Sequence, residues 1–205
     1  MPPPAEDGDT RTVVDAPDRA AWRAWLERHH ERSGSVWLRL SRGDGDGERS
    51  LRYEDAVQEG LCFGWIDSRA RKRDDVSYDL LFAPRKRGSG WARTNKRRIE
   101  RLLAEGRMAP AGLAAIEAAK ADGSWTLLDL VEDLVEPDDL RAALDATPLA
   151  RANWDGFPPS ARRGILEWIA VAKRATTREQ RVAETATLAA QGIRANQWPR
   201  PPRGG

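Results

Sequence analysis

Apolar residues in the first third of the chain recur first at helical and then at strand-like spacing. One group falls at i, i+3, i+4 and i+7, which predicts one face of a helix that begins near Pro17. A short strand over residues 36–40 follows, and a second helix is predicted over residues 53–63, with Gly64 as its left-handed stop. The face of the first helix is formed by Trp22, Trp25, Leu26 and His29.

Two strand-like segments come next, over residues 65–71 and 76–82. The second segment alternates apolar with other residues, so one of its faces is expected to be buried. The polar residues 73–75 are the expected hairpin connection, and Pro84 ends the second strand because proline cannot donate to a ladder. An antiparallel pair of strands is therefore predicted beside the helices.

The remainder of the chain is predicted to be helical. A third helix over residues 89–105 takes Ser89 as its N-cap, and a fourth opens at Pro110. After Pro137 the pattern is purely helical, and a capping box over residues 176–179 begins the last helix. The predicted fold class is α+β: a small antiparallel sheet with packed helices, followed by an all-helical C-terminal module.

Both ends of the chain are rich in proline and charge and lack hydrophobic periodicity, which is typical of extended or disordered tails. Trp198 is expected to be solvated in the second tail, and the glycine-rich residues 43–47 are expected to form a flexible turn. The predicted organisation is a disordered tail over 1–12, an α+β domain over 13–125, a helical module over 126–193 and a Pro-rich tail over 194–205.

Length and composition narrow the protein class. The chain has 205 residues and is 40% hydrophobic, which is enough for a sizeable core. It has no run of about 18 apolar residues and no signal-peptide pattern at its start. Its single cysteine, Cys62, excludes an intrachain disulfide and a thiolate metal cage. We therefore expect a cytoplasmic protein with no membrane partner, metal or cofactor, and its oligomeric state stays open.

Charge is nearly balanced overall but uneven along the chain. The net charge is +2, so no global field favours nucleic acid or anionic lipid. Between Arg69 and Arg101, however, twelve Lys or Arg residues stand against four Asp or Glu residues. Residues 93–101 of the third predicted helix carry part of this positive charge. Nucleic-acid binding through them is therefore an open alternative, but the nearly balanced total charge does not favour it.

Several short motifs agree in order and spacing with a known family. They are residues 62–67, Pro84-Arg85-Lys86 with Ser89, Trp91 and Asn95, residues 105–108, residues 168–173, and Thr177-Arg178 with Arg181. With these motifs the chain resembles the YdeI/OmpD-associated proteins over about residues 15–192. Its C-terminal part is similar to their helical module, OmdA, which is named for bacteriocin protection.

The resemblance implies a YjbR/CyaY-like (DUF1801-like) fold for the N-terminal part and a protective role, in antimicrobial resistance or stress. The family's association with cationic-peptide resistance and a porin implies a periplasmic setting, whereas the start of this chain is expected to keep it in the cytoplasm. The sequence departs from the family pattern at Ala83 and Ala92, where a small hydroxyl residue is expected, and near Ser68, where glycine is expected. Any ligand contacts at those positions are expected to differ.

The main candidate site combines aromatic and polar residues of the hairpin and the third helix. Trp65 and Asp67 share one face of their strand, and Tyr78 and Phe82 share a face of the partner strand. If the third helix crosses that face, these groups converge into a pocket for a small organic or peptide-like molecule. The predicted ligand-binding residues are Trp65, Asp67, Tyr78, Phe82, Arg85, Ser89, Trp91 and Asn95.

Two other interpretations of these residues stay open. In the first, Asp67 and Arg85 form an ion pair that only stabilises the fold, and the tryptophans are core residues. In the second, the site is that of an enzyme acting on a specialised metabolite, in which Asp67 is the general base and Tyr78 or Arg85 stabilises developing charge. No strong catalytic motif supports the enzyme, and Cys62 is expected to be a small buried residue rather than a nucleophile.

Overall fold

The computed structural model describes residues 10–42 and 51–197, and the chain divides into two compact units. The first, here called the N-terminal unit, comprises Met1–Arg87 and Thr94–Ala121. The second, here called the helical unit, comprises Gly88–Arg93 and Asp122–Gly205. The predicted turn over 43–47 and most of the two predicted tails, with Trp198, lie outside the described residues.

A four-stranded sheet forms the centre of the N-terminal unit, in the order β1-β2-β4-β3. The predicted hairpin is confirmed, because β3 pairs antiparallel with β4, and β2 pairs antiparallel with the other side of β4. The strand β1 pairs parallel with β2, so the sheet is mixed rather than purely antiparallel. A two-residue strand has no periodicity by which the sequence could reveal it. The strands are β1 (Val13–Val14), β2 (Val36–Ser41), β3 (Trp65–Lys72) and β4 (Ser77–Pro84).

Four helices accompany this sheet in the chain. Asp18 caps the first of them by accepting a hydrogen bond from the backbone N–H of Ala21 at 2.7 Å. Trp22 and Leu26 on that helix are fully buried, whereas His29 is exposed. The buried face of the helix is therefore narrower than the predicted one. The helices are α1 (Arg19–His29), α2 (Tyr53–Cys62), α3 (Arg93–Ala104) and α4 (Pro110–Ala121).

The predicted start of α3 at Ser89 is wrong, because the helix begins at Arg93. Gly88 adopts a left-handed conformation with φ of 75°. Gly90 lies so close to Leu128 that a Cβ atom on residue 90 would come within 2.6 Å of the Cγ atom of Leu128. The backbone N–H of Arg93 donates to the carboxylate of Glu132 at 3.0 and 3.1 Å. Tertiary contacts thus hold residues 88–92 outside the helix.

The helical unit confirms the prediction of a mostly helical C-terminal region. Its core contains Trp154, Leu140, Leu144, Ile165 and Ile169, all fully buried. The last helix has Arg174 at its N-cap position, so Thr176 lies inside the helix and the predicted capping box is wrong. The helices are α5 (Asp129–Glu132), α6 (Asp138–Asp145), α7 (Pro148–Gly156), α8 (Pro159–Ala170) and α9 (Ala175–Ala190). None of the helices in the described part of the chain is long and apolar enough to cross a membrane.

Candidate functional site

Two of the predicted site residues lie in the core of the N-terminal unit. Trp65 is 1% exposed, and its ring meets Trp25 edge-on at 5.9 Å between centroids. Phe82 is fully buried, and its ring lies 5.4 Å from Trp22. Both side chains therefore contribute to core packing. Their contact with a ligand stays a prediction.

Asp67 forms the centre of a polar group in the same unit. The phenol of Tyr53 donates a hydrogen bond to its carboxylate at 3.0 Å. Burial and the Asp67 carboxylate together raise the pKa of Tyr53 to about 12. Burial also raises the pKa of Tyr78, with a further contribution from Asp67. Burial lowers the pKa of Arg85 to about 10, and Asp67 opposes that shift. Three predicted residues, Asp67, Tyr78 and Arg85, thus interact electrostatically.

Asn95 joins this group through Arg98, which was predicted only as part of the basic stretch over residues 93–101. Arg98 donates to the side-chain oxygen of Asn95 at 2.8 Å and to the carboxylate of Glu54 at 2.6 and 2.9 Å. The hydrogen bonds from Arg98 hold the pKa of Glu54 at about 2. The positive charge of Arg98 also lowers the pKa of Tyr53, which opposes the effects of burial and Asp67. The group, here called the Asp67 cluster, comprises Tyr53, Glu54, Asp67, Tyr78, Arg85, Asn95 and Arg98.

The other two predicted residues belong to the helical unit. Trp91 is 2% exposed, and its ring centroid lies 5.1 Å from that of Trp125. Ser89 is half-buried in the same unit. The pocket shared by all eight predicted residues stays a prediction.

Several of the cations on α3 have acidic partners. Arg98 and Arg101 lie 2.6 and 3.6 Å from oxygens of Glu54. Arg93, at the first position of the helix, lies 2.8 Å from Asp133. These ion pairs reduce the charge that α3 can offer to phosphates. Nucleic-acid binding by residues 93–101 stays a prediction, and these ion pairs are an observation against it.

A second polar group surrounds Glu59, whose side chain is fully buried. Its carboxylate accepts hydrogen bonds from Arg19 at 2.6 Å, from Arg23 at 2.8 Å, and from Arg107. Burial, followed by the nearby Glu59 carboxylate, raises the pKa of the Cys62 thiol. Cys62 is itself fully buried, as predicted for a small core residue. We call Glu59 and its three arginines the Glu59 cluster. Local spacing gives no sign of this cluster, because its members come from three separate segments.

A cleft of about 640 Å³ opens in the N-terminal unit beside the Glu59 cluster. Its walls come from α1 and the two residues after it, from the residue that follows α2, and from residues 108–114, which include the start of α4. We call it the α1–α4 cleft. It is lined by Arg23, Glu27, His30, Glu31, Phe63, Met108, Ala109, Pro110, Ala111 and Ala114.

A cleft of about 440 Å³ opens in the helical unit and has mostly apolar walls. Leu130 and Val135 remain 62% and 42% exposed there, and charged side chains stand at the rim. We call it the α5–α8 cleft. It is lined by Leu127, Leu130, Val131, Val135, Glu136, Pro137, Asp138, Arg141, Leu166, Ile169, Ala170 and Arg178.

Comparison with known proteins gives a match for each part of the chain. Residues 133–192 match the family model described as "Bacteriocin-protection, YdeI or OmpD-Associated". The C-terminal module is thus similar to the YdeI/OmpD-associated family. Residues 14–115 match a domain of unknown function, DUF8412. No curated protein and no solved structure gives a significant match.

These matches bear on the resemblance expected from the sequence motifs. The YdeI/OmpD-associated resemblance is confirmed for the C-terminal segment. The YjbR/CyaY-like fold expected for the N-terminal part stays a prediction, because the matching model for that part carries no description of fold or activity. Most of the lining of the α5–α8 cleft comes from residues inside the matched C-terminal segment.

Proposed function

We propose that the chain binds a small organic or peptide-like molecule in the α5–α8 cleft and that this binding is protective. The supporting observation is an apolar cleft of about 440 Å³ built largely from the segment that matches the bacteriocin-protection family model. A cleft of this size suits a ligand of a few hundred daltons or the side chains of a short peptide. The cytoplasmic location expected from the sequence is part of the same proposal.

Apolar contact would supply most of the affinity. Leu166 and Ile169 form a buried wall, while Leu130 and Val135 expose much of their surface at the cleft. A guest that covers these two side chains removes apolar area from water, at about 25 cal/mol for each Å². The cleft is thus suited to an apolar side chain or ring.

The charged groups at the rim are already paired within the unit, which limits them to orienting the guest. Glu136 accepts hydrogen bonds from Arg151 at 2.7 and 2.8 Å and from the indole N–H of Trp154 at 2.7 Å. Arg178 donates to Asp139 at 2.7 and 2.9 Å. Since such pairs are costly to break when partly buried, a bound molecule would leave them in place.

Binding can be tested with leucyl-phenylalanine amide as a peptide-like probe, by isothermal titration calorimetry. We expect the double variant Leu130→Gln, Val135→Gln to weaken the probe about tenfold, because it replaces exposed apolar contacts with amides. The matched control is Leu149→Gln, which changes a leucine that is 66% exposed and does not line the cleft. Absence of binding to the natural sequence at millimolar probe, or equal weakening by the control, would refute the site.

The protective role needs a separate measurement in cells. Cells that produce the natural chain should grow at higher bacteriocin concentrations than cells that produce the Leu130→Gln, Val135→Gln variant at the same level. If both chains protect equally, or neither protects, the cleft has no part in protection.

A second candidate function is an enzyme at the Asp67 cluster, which the hydrogen bond from Tyr53 to Asp67 favours. That bond and the neighbouring Arg85 resemble the arrangement in which a carboxylate accepts a proton while donors stabilise developing charge. Its electrostatic basis can be measured directly, since the chain has two tyrosines.

In a Tyr78→Phe background, Tyr53 is the only tyrosine and its ionisation can be followed by ultraviolet absorbance. Adding Asp67→Asn should lower its pKa from about 12 toward the ordinary 10, because the neighbouring negative charge is removed. An Asp75→Asn control, at an exposed turn residue, should leave the curve unchanged. An unaltered pKa in the Asp67→Asn protein would remove the coupling on which the enzyme candidate depends.

A further inference from the structure

We infer that the α1–α4 cleft of the N-terminal unit binds an organic cation, an amine or guanidinium attached to an apolar body. This site is separate from the one proposed above, and no family description refers to it. Three observations carry the inference: an apolar floor, an arginine whose charge is already compensated, and hydrogen-bond acceptors at the mouth.

The floor of the cleft is apolar and well packed. Phe63 is 5% exposed and Ala109 is 9% exposed, and Met108 and Ala111 lie beside them. The ring of Phe63 is 5.1 Å from the ring of His30 and 5.4 Å from the guanidinium of Arg23. This floor is suited to a ring or an alkyl chain rather than to a hydrated ion.

Arg23 is the only arginine or lysine that lines this cleft in the described structure. Its charge is already compensated. Its three nitrogens donate to Glu27 at 3.2 Å, to the buried Glu59 at 2.8 Å and to the backbone oxygen of Arg107 at 3.3 Å. An anionic guest would compete with Glu59, a carboxylate with no exposed surface that depends on these contacts. The cleft therefore disfavours anions despite the presence of an arginine.

The groups at the mouth are acceptors. Glu27 lies on α1 and Glu31 in the turn that follows it, with side chains 53% and 81% exposed. His30 contacts the backbone oxygen of Leu26 through Nδ1 at 2.8 Å. Because a carbonyl only accepts, Nδ1 is the donor in this contact. Nε2 lies 3.8 Å from Glu31.

These features fit a guest with its cation at the mouth and its apolar part on the floor. The lining side chains carry two negative charges and one positive charge when His30 is neutral. Phenethylamine is a minimal probe with both parts, and phenylpropionate and phenylethanol are its anionic and neutral counterparts.

The experiment compares these three probes on the full chain by ligand-observed NMR titration. We expect phenethylamine to bind with a dissociation constant of about 1 mM, and the other two to bind about tenfold more weakly or not at all. The double variant Glu27→Gln, Glu31→Gln should weaken phenethylamine about tenfold. Ala114→Phe, which fills the cleft from an exposed helix position, should abolish binding.

The matched control is Glu100→Gln, Glu117→Gln, which makes the same charge change on exposed helix positions outside the cleft. It should leave the affinity for phenethylamine unchanged. The inference is overturned if phenylpropionate or phenylethanol binds as tightly as phenethylamine, if the control weakens binding as much as the cleft variant, or if Ala114→Phe retains binding. Repeating the titrations in the Leu130→Gln, Val135→Gln background separates these outcomes from any probe that binds in the α5–α8 cleft.

Discussion

At the residue scale, Glu59 illustrates how a single carboxylate joins distant parts of the N-terminal unit. Its side chain is fully buried, and it accepts hydrogen bonds from Arg19 and Arg23 of α1 and from Arg107 after α3. A buried charge is tolerated only when partners replace its lost hydration. Three partners do so here, and each arginine keeps about 30% of its side chain exposed.

Replacing Glu59 with glutamine should lower the free energy of unfolding of the N-terminal unit by about 3 kcal/mol, because three neighbouring guanidinium groups lose their counter-charge. Urea unfolding followed by hydrogen exchange in α1 and α2 would measure the loss. Glu117→Gln is the control, since its ion pair with Lys120 is exposed and should contribute less than about 1 kcal/mol. Equal losses in the two variants would contradict a structural role for the Glu59 cluster.

Glu54 gives a pH dependence whose sign follows from its pKa. The hydrogen bonds from Arg98 lower that pKa from 4.5 to about 2 in the folded chain. The ionised carboxylate therefore stabilises the fold above pH 4.5, and this contribution is lost as the pH falls through about 2. Because the side chain is 46% exposed, solvent reduces the size of the effect.

We expect Glu54→Gln to lower the melting temperature at pH 6, and the difference from the natural sequence to shrink between pH 4.5 and pH 2. Thermal unfolding followed by circular dichroism across this range would test it. Glu100→Gln, at an exposed position of α3, should give a small difference that does not change over the same range. A Glu54→Gln difference that is constant or grows toward pH 2 would show that the Arg98 pair does not set the acid stability.

At the element scale, α2 and α4 pack so closely that position 112 of α4, which faces the end of α2, admits only glycine. A Cβ atom on Gly112 would lie 2.2 Å from the backbone oxygen of Cys62, well inside any real contact distance. That same oxygen accepts a hydrogen bond from the backbone N–H of Ala109 at 3.1 Å, so it cannot move freely. The absence of a side chain on Gly112 therefore fixes the spacing of the two helices.

Gly112→Ala should cost about 3 kcal/mol or more of the free energy of unfolding, because backbone must move to admit the methyl group. Gly164→Ala is a matched control in the interior of α8, where a Cβ atom would meet nothing within 4 Å. It should stabilise the chain by about 0.5–1 kcal/mol through helix propensity. Denaturant unfolding of both variants would decide, and the same sign for both would contradict the close packing.

At the scale of the whole molecule, the chain crosses from one unit to the other more than once. Gly88–Arg93 belongs to the helical unit, although Thr94–Ala121 belongs to the N-terminal unit. Trp91 packs against Trp125, and Gly90 lies against Leu128. A short internal segment is thus part of a unit formed mainly by residues after 121.

Trp91→Ala should destabilise the helical unit by about 3–4 kcal/mol, because it leaves a cavity beside Trp125. Hydrogen exchange should show faster exchange in α5 to α9, more than 30 residues away in sequence. Leu149→Ala, at a residue that is 66% exposed, should change little. If Trp91→Ala accelerated exchange in the N-terminal unit alone, the assignment of residues 88–93 would be wrong.

The helices and the hairpin could be predicted because their signals are local. Gly64 and Gly106 have left-handed φ angles of 73° and 65°, as expected at helix ends. The strand β1 and the true start of α3 could not be predicted, since the first depends on pairing with β2 and the second on contacts with Leu128 and Glu132. Local spacing carries no information about such partners.

The candidate site was only partly accessible to sequence reasoning. Asp67, Tyr78, Arg85 and Asn95 were selected from motifs, and the structure links them through hydrogen bonds and shared electrostatics. Tyr53 was missed and Arg98 was considered only for nucleic-acid binding, because nothing in the local spacing indicates that Tyr53 donates to Asp67 or that Arg98 binds Glu54. The two clefts were missed for the same reason, as a concave surface exists only after the elements have packed.

By itself, the sequence determined the α+β class, the order of the main elements and the similarity of the C-terminal module to a protective family. Backbone conformation and apolar periodicity fix these features over a few neighbouring residues. The tertiary structure alone decided the long-range charge pairs: Glu59 binds arginines 40 and 48 positions away, and Glu54 binds one 44 positions away. Helical spacing accounts for short-range pairs such as Arg23 with Glu27, whereas these distant partners meet only when packing brings them within hydrogen-bond distance.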